Sequence, residues 1–362
     1  MKLKLPQNGR RAAIFFIALC CGAGYAQQVS VTQDVMVNRG LLDDSYWKNQ
    51  PLQSTSKRVV AYTDIGARAE WPLLGQALIV ERKTINTLAS NSNTLTLAAK
   101  DGAYASQVGN GATELQAQTK RYQFDALGVK FAGAAGQDSL QWSVSPKWIR
   151  LLDVREGDGA GVLTKDDTTL SLLGDLQRTG MTSYGFQADP ATPRLLNGGA
   201  VDLGLAWTSG VWKFNLHAQH LYSKIPAQSL YFSHRVYNVN ATTAQGISYS
   251  NVPSLSGTYG QRDMSLSLPR IVKADVSYKS GLAGTWLKTG IVSVDGRNVP
   301  WLGWMIPVGG HEFELRNYEL NNTQFTYRTP AILKGHLSGE FMAIRDTSGH
   351  QKSLVGGIRL SF

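Results

Sequence analysis

Apolar and polar residues alternate with a period of two along most of this chain, down to its last residue. In 353–362, Leu354, Gly356, Ile358, Leu360 and Phe362 share one face, and Val355, Gly357, Arg359 and Ser361 share the other. That period belongs to β-strands, whose successive side chains point to opposite faces. In 200–207, Val201, Leu203, Leu205 and Trp207 alternate with Asp202, Gly204 and Ala206. A short turn at 208–210 follows. Then 211–223 sets Trp212, Phe214, Leu216, Ala218 and Tyr222 against Lys213, Asn215, His217 and Gln219, completing a hairpin signal. The same alternation places Lys273 and Asp275 opposite Val272, Ala274, Val276 and Tyr278. It places Glu312, Glu314, Arg316 and Tyr318 opposite Phe313 and Leu315, and Lys334, His336, Ser338 and Glu340 opposite Leu333, Leu337, Phe341 and Ala343.

One apolar face suits a soluble sandwich as well as a membrane barrel. Three features favour the barrel. Gly335, Gly339 and Gly356 stand where a sandwich core would take Ile or Val. Trp207, Trp212, Tyr222, Tyr278, Trp286, Trp301 and Trp304 gather near strand ends, as interfacial girdles do. The third is the terminal Phe362. Composition points the same way. Of the 362 residues only 17% are charged, against about 25% in ordinary soluble domains. The longest apolar run, 12–26, is short of the roughly 20 residues a spanning helix needs.

The amino terminus reads as an export signal. Lys2, Lys4, Arg10 and Arg11 precede the apolar 12–21, and Gly24 and Ala26 stand three residues and one residue before Gln27. This predicts a signal peptide over 1–26 with cleavage before Gln27. Lipoprotein attachment fits poorly, because Leu19 precedes Cys20 and Cys20 precedes Cys21. Removal of 1–26 takes both cysteines, so neither a disulfide nor a thiolate metal site is expected afterwards. It also takes four basic residues and no acid, leaving 32 Lys+Arg against 26 Asp+Glu. That modest excess is spread along the chain, so no nucleic-acid partner is expected.

Together, the signal segment, the absence of later cysteines and the alternating carboxyl end with a final aromatic resemble the outer-membrane β-barrels of Gram-negative bacteria. The resemblance is to that class and not to a particular family. It implies an all-β fold, an antiparallel transmembrane β-barrel over 27–362, with the outer membrane as its location. Its partners would be outer-membrane lipid, lipopolysaccharide and the barrel-assembly machinery, which reads Ile358, Leu360 and Phe362 as an assembly signal.

In such barrels both ends of the chain lie in the periplasm and the strand number is even. A walk back from Phe362 gives strands at 353–362, 331–345, 311–320, 300–306, 285–294, 270–279, 229–238, 211–223, 199–207, 139–151, 118–132, 76–88, 58–69 and 29–38. That is about fourteen. The walk places 280–284, 89–117 and 152–198 outside, the last as one long loop. It leaves 239–269 as a long inside connection. If 27–57 is a plug the number is twelve; if 239–269 hides two strands it is sixteen.

The polar face supplies the candidate chemistry. Lys213, His217, Lys273, Asp275, Glu312, Glu314, Arg316, Lys334, His336, Glu340 and Arg359 are expected to line the lumen. They are read either as selectivity groups or as structural ion pairs. His336, Ser338 and Glu340 share a face and supply the residue types of acyl transfer, with a His-x-Ser similar to that of outer-membrane lipid A deacylases. The Ser/His face here is the polar one, however, whereas the reactive face of those enzymes meets lipid. His217 and His220 fall on opposite faces by parity, so no metal is expected there; no cofactor is implied either. The leading expectation is a channel or transporter for a small solute. The alternative is a plugged barrel acting in surface assembly, secretion or adhesion through its loops or a periplasmic partner. A lipid-modifying hydrolase comes third.

Overall fold

A computed structural model describes residues 28–38, 57–99, 109–136, 140–167, 169–181, 196–242, 248–249, 254–282, 284–320, 322–330, 337–346 and 352–361. The predicted signal segment, Lys334, His336 and Phe362 lie outside them. Among the described residues the chain is all-β, with seventeen strands in one antiparallel sheet and one helix, α1 (Ser92–Ala99).

The strands differ greatly in length. The first half runs β1 (Gln28–Val37), β2 (Arg58–Leu73), β3 (Gln76–Asn91), β4 (Gly111–Ala135), β5 (Leu140–Lys165), β6 (Thr169–Gly180), β7 (Leu196–Ser209) and β8 (Trp212–Thr242). The second half runs β9 (Ser248–Tyr249), β10 (Ser254–Leu266), β11 (Ile271–Lys279), β12 (Trp286–Val294), β13 (Arg297–Val308), β14 (His311–Tyr318), β15 (Asn322–Arg328), β16 (Leu337–Asp346) and β17 (Lys352–Ser361). β4, β5 and β8 therefore form a tall wall, and β12 to β15 a set of short hairpins.

Pairing explains four strands that do not span the sheet. β5 pairs with β7 over its first half (Gln141↔Ala206 to Leu151↔Leu196) and with β6 over its second (Arg155↔Gly180 to Lys165↔Leu170). β6 and β7 thus fill one position, one above the other. β10 and β11 likewise share the position on the other side of β8. At the ends of the chain, β1 pairs with both β2 and β17.

Several strand predictions change accordingly. The stretches 211–223 and 229–238 are parts of one strand, β8, because the left-handed residues His220 and Ser229 let it bulge without turning back. The stretch 239–269 is not one connection, since it contains β9 and β10 returning along β8. Nor is 152–198 one loop: 152–165 completes β5 and 169–180 is β6. β15 was missed between 311–320 and 331–345. That omission reversed the direction of every strand from 311–320 back to 270–279. The connection 280–284 therefore lies at the end of the sheet that holds Gln28 and Ser361, not opposite it.

The side chains of strands far apart along the sheet meet on one face, the inner face around which the sheet curls. Lys120 of β4 binds Asp295 of the β12–β13 turn at 2.7 Å, and Arg297 reaches Gln118 at 2.8 Å. An apolar layer fills this face at mid-height, built from Tyr62, Ile85, Tyr122, Phe124, Ile149, Leu151, Ile225 and Leu230 among others.

Candidate functional site

The inner face carries two clusters of charge. The first lies on the tall wall. Arg68, Glu70, Glu81, Lys83 and Lys147 occupy alternate positions of β2, β3 and β5, which turns them all inward. Lys147 Nζ donates to Glu81 Oε2 at 2.7 Å and also to Asp202; both Lys147 and Glu81 have side chains with no solvent exposure. Arg68 binds the other oxygen of Glu81 at 2.7 Å and also binds Glu70, which Lys130 approaches at 3.4 Å. Lys83 donates to Asp64 at 3.1 Å and, from the opposite direction, to Gln219 of β8 at 3.3 Å. Two glycines make room for the lysine stems. A Cβ at Gly66 would lie 2.9 Å from Lys83 Cγ, and one at Gly128 would lie 2.8 Å from Lys147 Cγ.

The second cluster lies on the short hairpins. Glu314 is also fully buried, and three cations surround it: Lys288 at 2.7 Å, Arg316 at 2.8 Å and Arg328 at 2.9 Å. Arg328 reaches on to Glu340 at 3.1 Å and Glu312 at 3.4 Å, whose side chains are 45% and 43% exposed. Arg316 also lies over the Trp301 ring. A third pair, Lys273 with Asp34, ties β11 to β1, and Tyr62 donates to the same carboxylate at 2.7 Å. In each group cations and carboxylates balance. Arg68, Lys83, Lys130 and Lys147 face Asp64, Glu70, Glu81 and Asp202; Lys288, Arg316 and Arg328 face Glu312, Glu314 and Glu340.

The residues singled out from sequence are thus divided. Lys273, Glu312, Glu314, Arg316 and Glu340 belong to these ion pairs. Asp275 accepts a hydrogen bond from Asn215 at 3.0 Å. Lys213 lies over the Trp286 ring and, like His217, is exposed toward the end of the sheet that holds Gln28 and Ser361. Arg359 stands opposite Ser30 and Ser338 in register. Of the proposed acyl-transfer group, Glu340 is engaged by Arg328 and His336 is outside the described residues. The left-handed backbone of His220 turns its ring inward beside Gln219, so parity misplaced it relative to His217. There its N–H donates to Asp202, and its ring lies against Pro269 O and the edge of Phe124. No group of residues that could hold a metal is found among the described residues.

Sequence reasoning missed Arg68, Glu81, Lys83 and Lys147, although the same parity rule on β2, β3 and β5 would have found them. Arg328 was not found as a partner of Glu314 because β15 was not recognised, and Lys288, on the predicted strand 285–294, reaches Glu314 from two strands away, a meeting that alternation along one strand does not mark.

The outer face is the opposite in character. Trp207, Trp212, Tyr222, Tyr278 and Trp304 are exposed on it, together with Phe131, Trp142, Leu287, Leu302, Phe325 and Phe341. Trp286 and Trp301, also expected in the girdle, are buried on the inner face under Lys213 and Arg316. On the tall wall the outer apolar stretch ends at the Arg82–Asp125 pair, Arg150 and Asn197, with polar residues beyond. Two cavities, of about 560 and 630 Å³, lie on this apolar face. No helix among the described residues is long and apolar enough to cross a membrane. No family model matches the chain, and no curated protein matches it in sequence.

Proposed function

We propose that the chain is an outer-membrane β-barrel that serves as a gated conduit for small solutes, shut in the state described. The observation that carries this reading is the inversion of its two faces. Large apolar side chains are exposed outside and ion pairs are buried inside, whereas a soluble β protein has the reverse arrangement. The pairing supports it as well. From β1 each strand leads to the next through β17, which returns to β1. Counting β6 with β7 and β10 with β11 as one position each, and setting aside the two-residue β9, gives fourteen positions.

Shut rather than open is the reading that the ion pairs favour. A selectivity ring presents unbalanced charge to passing ions. Here the charges neutralise one another across the interior, and an apolar layer fills the same space. The exposed Lys213 and His217 then line a vestibule on the periplasmic side.

Cell fractionation with heat-modifiable gel mobility tests the barrel, and recovery as a soluble periplasmic protein would overturn it. Proteoliposome uptake of a panel of sugars, amino acids and fatty acids tests the conduit. The expected result is slow, solute-dependent uptake without a standing conductance in planar bilayers. A large constant conductance would overturn the shut state. Absence of flux for every solute, with the barrel intact, would overturn the conduit.

That last result would favour a second reading, a plugged barrel that works at the cell surface. Its specific support is β10. Residues 256–263 are exposed on both faces, and among the described residues β10 is paired only along its β8 side. A free strand edge of this kind can accept an extended polypeptide.

A further inference from the structure

β1 divides its length between the sheet and the space the sheet encloses. From Gln28 to Val31 it is paired on both edges, with β2 and with β17 (Gln28↔Ser361 to Val31↔Ile358). Beyond Val31 its pairing with β2 continues to Val37↔Ala61. Its pairing with β17 stops there among the described residues, although β17 continues beside β16 to Arg345↔Lys352. Residues 352–357 therefore carry a strand edge that β1 has left.

The inner face holds what β1 has moved toward. Val35 packs against Met342 on the inner face of β16, and Asn322 Nδ2 donates to Val37 O at 2.6 Å. Asp34 accepts from Lys273 on the far side of the interior. The register of the four existing pairs nonetheless continues without interruption. Extended, it sets Thr32 against Gly357, Gln33 against Gly356, Asp34 against Val355 and Val35 against Leu354. Alternation would then turn Val35 and Val37 to the apolar outer face. Gly356 and Gly357 weaken this part of the ladder, because glycine gives a strand no side chain to pack.

We propose that residues 32–37 are a strap with two seats, the inner one described here and a wall seat in which they complete the β1–β17 ladder. The proposal rests on the membrane-barrel reading. Gly356 pairs with Phe341, an exposed outer-face aromatic, so the vacated edge lies at the height of the apolar band. In hydrocarbon an unpaired edge finds no water to satisfy it, and the returning strap is the segment whose register fits. In the inner seat the seam is a lateral slot between the interior and the bilayer; in the wall seat the slot is closed.

Cysteine pairs test this in outer-membrane vesicles, with Cys20 and Cys21, the only native cysteines, replaced by Ala. Val35→Cys with Leu354→Cys reports the wall seat, and Val35→Cys with Met342→Cys the inner seat. Val29→Cys with Leu360→Cys reports the constant part of the seam. After oxidation, a disulfide closing most of the chain into a loop changes the mobility of the denatured protein. We expect the constant pair to link and both strap pairs to link in part. Asp34→Asn, and independently Lys273→Met, should shift yield from the inner pair to the wall pair about tenfold or more, as expected for loss of one charge-assisted hydrogen bond. If the constant pair links while the wall pair stays unlinked in all three backgrounds, the strap has one seat and the proposal fails. If the constant pair does not link, the seam itself is wrong. Absence of the chain from the outer-membrane fraction, read before any crosslink, would remove the membrane reading and the strap with it.

Discussion

Lys147 stands in a wall of strands 16 to 31 residues long, from β2 to β5 and β8, whereas Glu314 stands among hairpins of 7 to 12 residues. Both side chains are fully buried and both are surrounded by opposite charge, yet their surroundings differ. The partners of Lys147 are Glu81, itself without exposure, and the 9% exposed Asp202. The partners of Glu314 are 13% to 31% exposed, and one of them, Arg328, holds two further carboxylates that reach solvent. On the tall wall the innermost charges, Lys147, Glu81 and Asp202, are shut off from water and depend on their ion partners. Short hairpins end close to water, which supplies part of the solvation that the charges lose.

The difference can be tested by removing each centre. Lys147→Met takes from the buried Asp202 its ion-pair partner, leaving it the His220 backbone N–H, while Glu81 keeps Arg68. It should cost about 3–5 kcal/mol, seen as a lower urea midpoint for loss of the folded gel band. Loss of less than 1 kcal/mol would mean that water already reaches this cluster. Leu302→Arg, on the outer face of the short hairpins, should cost about 2–4 kcal/mol in lipid vesicles if the apolar face meets hydrocarbon. In an aqueous setting that 58% exposed position would tolerate the change, so a neutral result breaks the membrane side of the comparison.

Glu314→Gln should cost about 1.5–3 kcal/mol, less than Lys147→Met, because Arg328 keeps Glu312 and Glu340. Raising salt to 1 M should shrink this penalty while leaving that of Lys147→Met unchanged, since screening reaches only charges near solvent. Equal salt responses would show that the two sites are equally dry. Gly128→Ala should cost about 1–3 kcal/mol, because the added Cβ would meet the Pro146 carbonyl oxygen at 2.6 Å as well as the Lys147 stem at 2.8 Å, and shortening Lys147 in the same chain should leave most of that cost in place. The smallest effect is expected at the exposed Tyr259 of β10, where Tyr259→Ala should change stability by no more than about 0.5 kcal/mol.

The period-two pattern was enough to identify the strands from 270 to 320 and the hairpin of β7 and β8, because each keeps one face in a uniform environment. It failed where a strand departs from strict alternation. His220 and Ser229 have left-handed backbone geometry, so β8 looked like two strands and His220 appeared to face outward. β15 is seven residues long with Asn322, Gln324 and Thr326 along its buried face, which gives little hydrophobic contrast. Residues 152–165 and 169–180 alternate only weakly, because they rise beyond the apolar outer stretch, where neither face needs to be uniformly apolar.

What the sequence determined by itself is local: that the chain would be all-β, and, where alternation is strict, which residues form strands and which face of each is charged. These follow from alternation and turn chemistry, which act over a few residues. Only the tertiary structure decided which charges meet. Lys147 with Glu81, Lys120 with Asp295 and Lys273 with Asp34 are separated by 66 to 239 positions, and an ion pair depends on distance in space. Tertiary structure also decided that β1 leaves β17 after Val31, because the contacts of Val35 with Met342 and of Asp34 with Lys273 exist only once the sheet has curled around them.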